Sequence, residues 1–201
     1  MDRILIASNN PGKIKEFKAL LHDLDVDVAS PGMLNLDLQV EENGATYADN
    51  ANQKARAFAQ KTGLLTLADD TGLEVDALGG IPGLHSARFV SKANATDADR
   101  RHYLLELLRD KNHPWTARFR CVLVLSTPDL KTNLTEGICE GEIVSEMRGI
   151  HGFGYDPLFL IPNLGKTMAE LTLEEKNYIS HRAHATQLMI PILLEILASS
   201  S

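Results

Sequence analysis

The sequence predicts a mixed α/β fold: a central mixed β-sheet with flanking helices, in a single domain over residues 1–201. Three observations carry that expectation. Strand-like and helix-like segments follow one another without strict alternation, which argues against a purely doubly wound sheet. Two long strand candidates, residues 117–125 and 134–144, come in succession around Pro128-Asp129 and read as a hairpin. Apolar residues make up 44% of the 201, enough to fill a sizeable core.

Taken in order, Arg3 to Ala7 is a short Ile/Leu run that reads as a buried first strand. Pro11 suits the first turn of a helix, whose apolar face is Ile14, Phe17, Leu20 and Leu21. A second strand is expected at Val26 to Ala29. Thr46 and Asp49 have the spacing of a capping box, and Ala48, Ala51, Ala55 and Phe58 then form one helical stripe that Gly63 stops. Leu64 to Ala68 reads as a strand ending at Asp69-Asp70, and Asp99 to Leu108 as a helix. Thr172 with Glu175 is another capping signal. From Ala183 the face Leu188, Met189, Ile192, Leu193 and Ile196 predicts a terminal helix, which Pro191 is expected to kink or interrupt before the Ser199-Ser200-Ser201 tail.

Charge narrows the function. At a formal net charge of -7 there is no global basic field to hold nucleic acid, so a phosphate ligand needs a local cation cluster or a metal. Cys121 and Cys139 make neither a disulfide framework nor a metal-type pairing and fit a reducing compartment. The N-terminus reads as a strand, not a leader, and no apolar run approaches the roughly 18–20 residues that span a bilayer. The expectation is a cytoplasmic protein with no membrane partner.

Five constellations could carry chemistry. Ser8-Asn9-Asn10-Pro11-Gly12-Lys13 lies between strand and helix, where small polar side chains, exposed amides and a lysine suit an anionic phosphate. It is not a Walker A loop, since Ala7 and Ile14 stand at two of that pattern's fixed positions; the plain alternative is a polar turn. Glu41-Glu42 and Asp69-Asp70 offer hard oxygen ligands, and an Asp pair on a tight turn at a sheet edge is a platform for Mg²⁺ and a base. The alternative is solvated turn acids. Asn50 and Lys54 share one helix face and either meet phosphates or solvent. Phe153, flanked by Gly152 and Gly154, could stack on a planar ligand or simply form an aromatic turn. Lys176, Ser180, His181 and Arg182 bring hydrogen-bond donors close together, able to read a carbonyl or hold phosphate oxygens.

In order and at these intervals, the segments resemble the inosine/xanthosine triphosphate pyrophosphatase family of house-cleaning enzymes. The resemblance runs nearly end to end. It rests on Ser8 to Lys13, Glu42-Asn43-Gly44, Asn50 with Lys54-Ala55, Ala68-Asp69-Asp70-Thr71-Gly72-Leu73, Gly79-Gly80, Pro82-Gly83 and Ser86-Ala87-Arg88. Gly152-Phe153-Gly154-Tyr155-Asp156-Pro157, Gly165-Lys166-Thr167, Glu175-Lys176 and Ser180-His181-Arg182 complete it. Ser8 and Thr71 stand where the family commonly has Thr and Ser, keeping the hydroxyl, and Asn9 stands where Gly is frequent.

The resemblance implies an elongated two-lobed fold with the active-site cleft between the lobes, usually built as a homodimer. It implies Mg²⁺-dependent hydrolysis of ITP, dITP and XTP to the monophosphate and pyrophosphate. Ser8, Asn9, Asn10, Pro11, Gly12 and Lys13 would hold the triphosphate. Glu42 and Asp70 would bind the metal, with Asp70 also the proton acceptor, and Thr71 would contact substrate. Phe153, Gly154, Tyr155 and Asp156 would wall the base and sugar, and Lys176, His181 and Arg182 would complete the pocket. Donors facing the 6-keto group would oppose the amino group of adenine. The competing readings are a pyrophosphatase for other modified or pyrimidine nucleotides and a non-catalytic nucleotide- or RNA-binding module.

Overall fold

The computed structural model describes residues 2–199; Met1 and the last two serines of the tail lie outside the described residues. The described residues form a mixed eight-stranded sheet in the order β2-β1-β3-β5-β6-β7-β8, with β4 paired to β3. The elements are β1 (Asp2–Ile6), α1 (Pro11–Leu20), β2 (Val26–Ala29), α2 (Tyr47–Thr62), β3 (Leu65–Val75) and β4 (Pro82–Gly83). They continue with α3 (Asp97–Leu108), β5 (Trp115–Ser126), β6 (Thr132–Ile143), β7 (Phe159–Ile161), β8 (Lys166–Thr167), α4 (Leu173–Ile179) and α5 (His181–Ser199). β1 runs parallel to β2 and β3, whereas β4 on β3, β7 on β6 and β8 on β7 are antiparallel.

Local chemistry sets the helix boundaries. Thr46 and Asp49 form the reciprocal capping box of α2, and Gly63 ends that helix in the left-handed region. A second box, Thr96 with Asp99, starts α3 at Asp97, two residues before the sequence places it. Thr172 and Glu175 cap α4 in the same way. Pro191 does not interrupt α5. Its ring and the Gln187 carbonyl that loses a hydrogen bond both lie on the exposed side, where water can serve that oxygen, while Met189 and Leu193 anchor the buried side.

The chain forms two compact units, one of Met1–Asp70, Cys121–Gly137 and His181–Ser201, the other of Thr71–Arg120 and Ile138–Ser180. In the first, strand alternation divides the apolar side chains between two faces. Ile4, Ile6, Leu65, Leu67, Cys121 and Leu123 meet Phe17 and Leu21 of α1 and Ala185, Met189 and Leu193 of α5. Leu5, Ala7, Ala68, Val122 and Val124 meet Ala51, Ala55 and Phe58 of α2. Burying a side chain such as Phe58 contributes about 2–3 kcal/mol. In the second unit Leu73, Val75, Trp115, Ala117, Phe119 and Ile143 pack with Leu104 and Leu108 of α3. The alternate residues carry a charge ladder in which Arg118 pairs with Glu74, Asp76 and Glu140, and Arg120 with Glu74.

β3 does not stop at Asp69-Asp70 but runs on through Thr71 and Gly72 to Val75. Nor is this a sheet edge, because β3 lies between β1 and β5. Two acids and a glycine have the composition of a turn, but here the acids replace apolar side chains on the two buried faces of a central strand.

Candidate functional site

Asp69 shares the strand parity of Leu65 and Leu67, and Asp70 that of Thr66 and Ala68, so adjacent carboxylates point to opposite faces. Asp69 Oδ2 takes Lys13 Nζ at 2.9 Å and Arg182 Nη2 at 3.0 Å. Arg182 Nη1 also pairs with Glu16, and the guanidinium lies 5.6 Å from the Phe17 ring centroid. Asp69, Glu16 and Arg182 are all buried. Burial alone would raise Asp69, but the charges of Lys13, Arg182 and Lys54 outweigh it and hold the carboxyl far below the usual range.

Asp70 lies on the face of β3 that meets α2. Asn50, buried on that helix, donates from Nδ2 to Asp70 Oδ2 at 2.9 Å and accepts the Gly44 N–H on Oδ1 at 2.8 Å. Gly44 has to be glycine: a Cβ there would stand 2.4 Å from Asp49 Cβ. The Glu42-Asn43-Gly44 segment is thereby fastened to the same side chain that fastens Asp70. Glu42 pairs with Lys54, one turn beyond Asn50, whereas Glu41 is exposed. Burial pushes Asp70 up; the Asn50 hydrogen bond and the Lys13 and Lys54 charges pull it back, and Glu42 adds to the rise.

The phosphate-loop candidate is shaped by its own third residue. Asn10 caps α1, its Oδ1 accepting the N–H of Gly12 at 2.8 Å and of Lys13 at 3.2 Å, while Ser8 Oγ accepts the Asn10 N–H at 3.2 Å. Two amides that the sequence offers to a phosphate are therefore already capped. Asn9, Asn10 and Pro11 are exposed, and the cation of the loop is Lys13.

His181 and Arg182 open α5. That helix comes down on Gly137 of β6, where a Cβ would lie 2.1 Å from the His181 carbonyl oxygen and 2.4 Å from the Ala185 nitrogen. Thr135 Oγ1 donates to the Ala185 carbonyl at 2.8 Å and fixes the same approach. Arg182 is thus delivered inward to two carboxylates.

The second unit holds the aromatic segment. Gly152 and Gly154 take φ of +73° and +61° on either side of half-buried Phe153. Asp156 Oδ2 accepts the Phe153 N–H at 2.9 Å and Lys176 Nζ at 2.5 Å, and that ammonium lies 5.1 Å from the Phe153 ring centroid. Tyr155 is buried and its hydroxyl donates to the Ser86 carbonyl at 3.0 Å. Thr71 follows Asp70 on β3 and is half-buried.

The structure therefore brings together Lys13, Glu42 and Asp70 in one unit, and Phe153, Asp156 and Lys176 in the other. In the Lys176–Arg182 stretch, Lys176 pairs with Asp156, and Arg182 with Asp69 and Glu16. Asp69, half of the acid pair singled out above, holds both Lys13 and Arg182, and Glu16, to which the sequence assigns no role, shares Arg182. The available signal for Glu16 was an acid on the apolar face of α1, one place before Phe17. Among the described residues no group of three or more His, Cys, Asp or Glu could hold a metal. Glu42 and Asp70 remain as two hard-oxygen donors, and the repulsion of Asp70 by Glu42 is one that a divalent cation would relieve. Such a donor pair fits an ion that completes its shell with water and phosphate.

Residues 4–192 match the model of the Ham1 family. The chain is 44% identical over 193 residues to the dITP/XTP pyrophosphatase of Bacillus subtilis, covering 96% of this chain and 98% of that protein. It is 46% identical over 191 residues to the dITP/XTP pyrophosphatase of Desulforamulus reducens, 95% of each chain. The solved structure of a HAM1 protein from Coxiella burnetii superposes with a TM-score of 0.86 at 41% identity, covering 97% of this chain and 100% of that one. The Ham1 protein of Staphylococcus aureus does so with a TM-score of 0.83 at 42% identity, covering 96% and 99%.

Proposed function

The chain belongs to the Ham1 family, and on that footing we propose that it hydrolyses deaminated purine nucleoside triphosphates (ITP, dITP and XTP) to the nucleoside monophosphate and pyrophosphate. The observation that carries this reading is Asp70, a desolvated carboxylate fixed by Asn50 and within the electrostatic reach of Glu42, Lys13 and Lys54. Asp70 accepts the proton of the water whose oxygen attacks the α-phosphorus; the bond to the bridging oxygen breaks, and pyrophosphate leaves with its electron pair. Lys13, held by Asp69, sets a positive charge against the phosphate oxygens. Glu42 and Asp70 would hold Mg²⁺, which when bound offsets charge on the polyphosphate.

Phe153 offers a face to the base, with Gly154, Asp156 and Lys176 shaping its loop; the hydroxyls of Ser8 and Thr71 and the side chain of His181 are donors toward substrate. The burial of Arg182 between Glu16 and Asp69 supports an indirect role for it, through Asp69. The reading extends to a homodimer, which the exposed apolar side chains of Ile150 and Tyr178 would suit, and to the cytoplasm, which two buried cysteines not joined in a disulfide fit. No described helix is long and apolar enough to cross a membrane.

The test is a panel of nucleoside triphosphates with Mg²⁺, assayed separately for pyrophosphate and orthophosphate. ITP, dITP and XTP should each release pyrophosphate, well ahead of ATP and GTP. Orthophosphate release, or a rate indifferent to the base, would sink the proposal, and a preference for pyrimidine nucleotides would favour the related activity instead.

A further inference from the structure

Asp97 and Arg101 stand four residues apart on the first turns of α3 and so share one helix face. Both reach the same residue of the aromatic loop. Asp97 Oδ2 accepts the Gly154 N–H at 2.8 Å, and Arg101 Nη1 donates to the Gly154 carbonyl at 2.7 Å. The two peptide units on either side of Gly154 are therefore both held from α3, one by an acceptor and one by a donor.

The clamp is itself braced. Asp97 Oδ1 takes Arg100 Nη2 at 2.5 Å, and Arg100 also donates to the carbonyls of Ala87 at 3.1 Å and Ala95 at 2.9 Å. Gly154 has φ +61° and Gly152 φ +73°, so the loop is built from residues with many alternative conformations. Phe153 lies between them. Asp156 fixes its N–H from inside the loop, and the α3 pair fixes the peptide that follows.

We propose that Asp97 and Arg101 are positioning residues for base selection, setting the orientation of the Phe153 ring by holding the backbone at Gly154. This rests on the reading that Phe153 faces the base. Stacking depends on ring geometry, and a loop free to sample other conformations would present the ring in the right plane only part of the time. Neither α3 residue needs to touch substrate. Because Asp70, Glu42 and Lys13 are held by other contacts, loss of the clamp should weaken base binding and leave the chemical step alone.

The test is steady-state kinetics with ITP and GTP on wild type, Arg101→Ala, Asp97→Ala, Arg101→Lys, Phe153→Ala and the Phe153→Ala/Arg101→Ala double variant. Arg101→Ala and Asp97→Ala should each raise KM for ITP about tenfold and lower the preference over GTP, with kcat within about twofold. Arg101→Lys, which keeps one donor, should recover most of the loss. In the Phe153→Ala background, Arg101→Ala should add nothing. Equal losses in both backgrounds, or a fall in kcat at unchanged KM, would overturn the proposal, since a merely structural α3 would give those results. A raised KM in Phe153→Ala with none in Arg101→Ala or Asp97→Ala refutes the clamp alone. An unchanged KM in Phe153→Ala refutes the placement of the base and the clamp with it.

Discussion

The carboxamide of Asn50 donates to Asp70 Oδ2 at 2.9 Å and accepts the Gly44 N–H at 2.8 Å, so one side chain fixes both the proposed base and the loop that carries Glu42. Asn50→Ala removes both bonds inside the protein and strands the Gly44 amide. Stability should fall by about 1–3 kcal/mol in urea unfolding. The kcat for ITP should fall by roughly 10–100-fold, because Asp70 loses its orientation. A variant with wild-type kcat would show that Asp70 needs no such support.

Asp70→Asn keeps the shape of the side chain and removes its basicity. The variant should unfold at a similar urea concentration while kcat drops by roughly 10²–10⁴. Lys13→Ala should instead raise KM for every triphosphate alike, with the ITP-to-GTP ratio unchanged. A change in that ratio would put the phosphates at the wrong end of the site.

Arg182 stands between two buried carboxylates. Arg182→Ala leaves both without its charge and should cost about 3–5 kcal/mol. Adding Glu16→Gln should restore part of that loss, because one uncompensated charge is then gone. Urea unfolding of the two variants decides it: equal stabilities would mean that Glu16 relaxes to solvent.

Burial raises Asp97, but the hydrogen bonds from Arg100 and the Gly154 amide, with the Arg100 and Arg101 charges, outweigh it and leave the carboxyl below its usual value. A carboxyl lowered in the native state stabilises above its unfolded value of about 3.9 and stops doing so as pH falls through the native value. The stability difference between wild type and Asp97→Asn should thus be flat across neutral and mildly acid pH and shrink only in strong acid. A difference that fades between about pH 7 and 5 would contradict the lowered value.

Cys139 is pushed up to about 12 by burial, with the Glu140 charge adding to the effect. Cys121 is fully buried. The native protein should react slowly with a thiol-specific disulfide reagent at about pH 8, and denaturant should release both thiols at once. Rapid reaction of either one in the native state would show that its surroundings open.

Much of the fold could be read from residue order alone. Thr46 with Asp49 and Thr172 with Glu175 mark helix starts because capping depends on neighbours in sequence, and the Ala51–Ala55–Phe58 stripe marks the inward face of α2. The three-residue and two-residue strands β7 and β8 could not be read, since they exist only by pairing with β6 and with each other. At the site, the residue types were legible and the partnerships were not. Asp69-Asp70 resembles a turn unless Lys13, Arg182 and Asn50 are known to wait on either side of the strand. Gly137 carries no local signal at all, because its need for a missing side chain comes from α5, more than forty positions along the chain.

The alternation at Asp69 and Asp70 makes strand register part of the chemistry. β3 is held against β1 by the pairs Ile4↔Leu65, Leu5↔Thr66 and Ile6↔Leu67. Sliding β3 by one residue would turn each acid to the opposite face, taking Asp69 away from Lys13 and Arg182 and Asp70 away from Asn50. The same slip would turn Leu65 and Leu67 away from α1 and α5. A chain that misplaced its base in this way would also have lost its core, so the arrangement of the two carboxylates is protected by the packing that folds the protein.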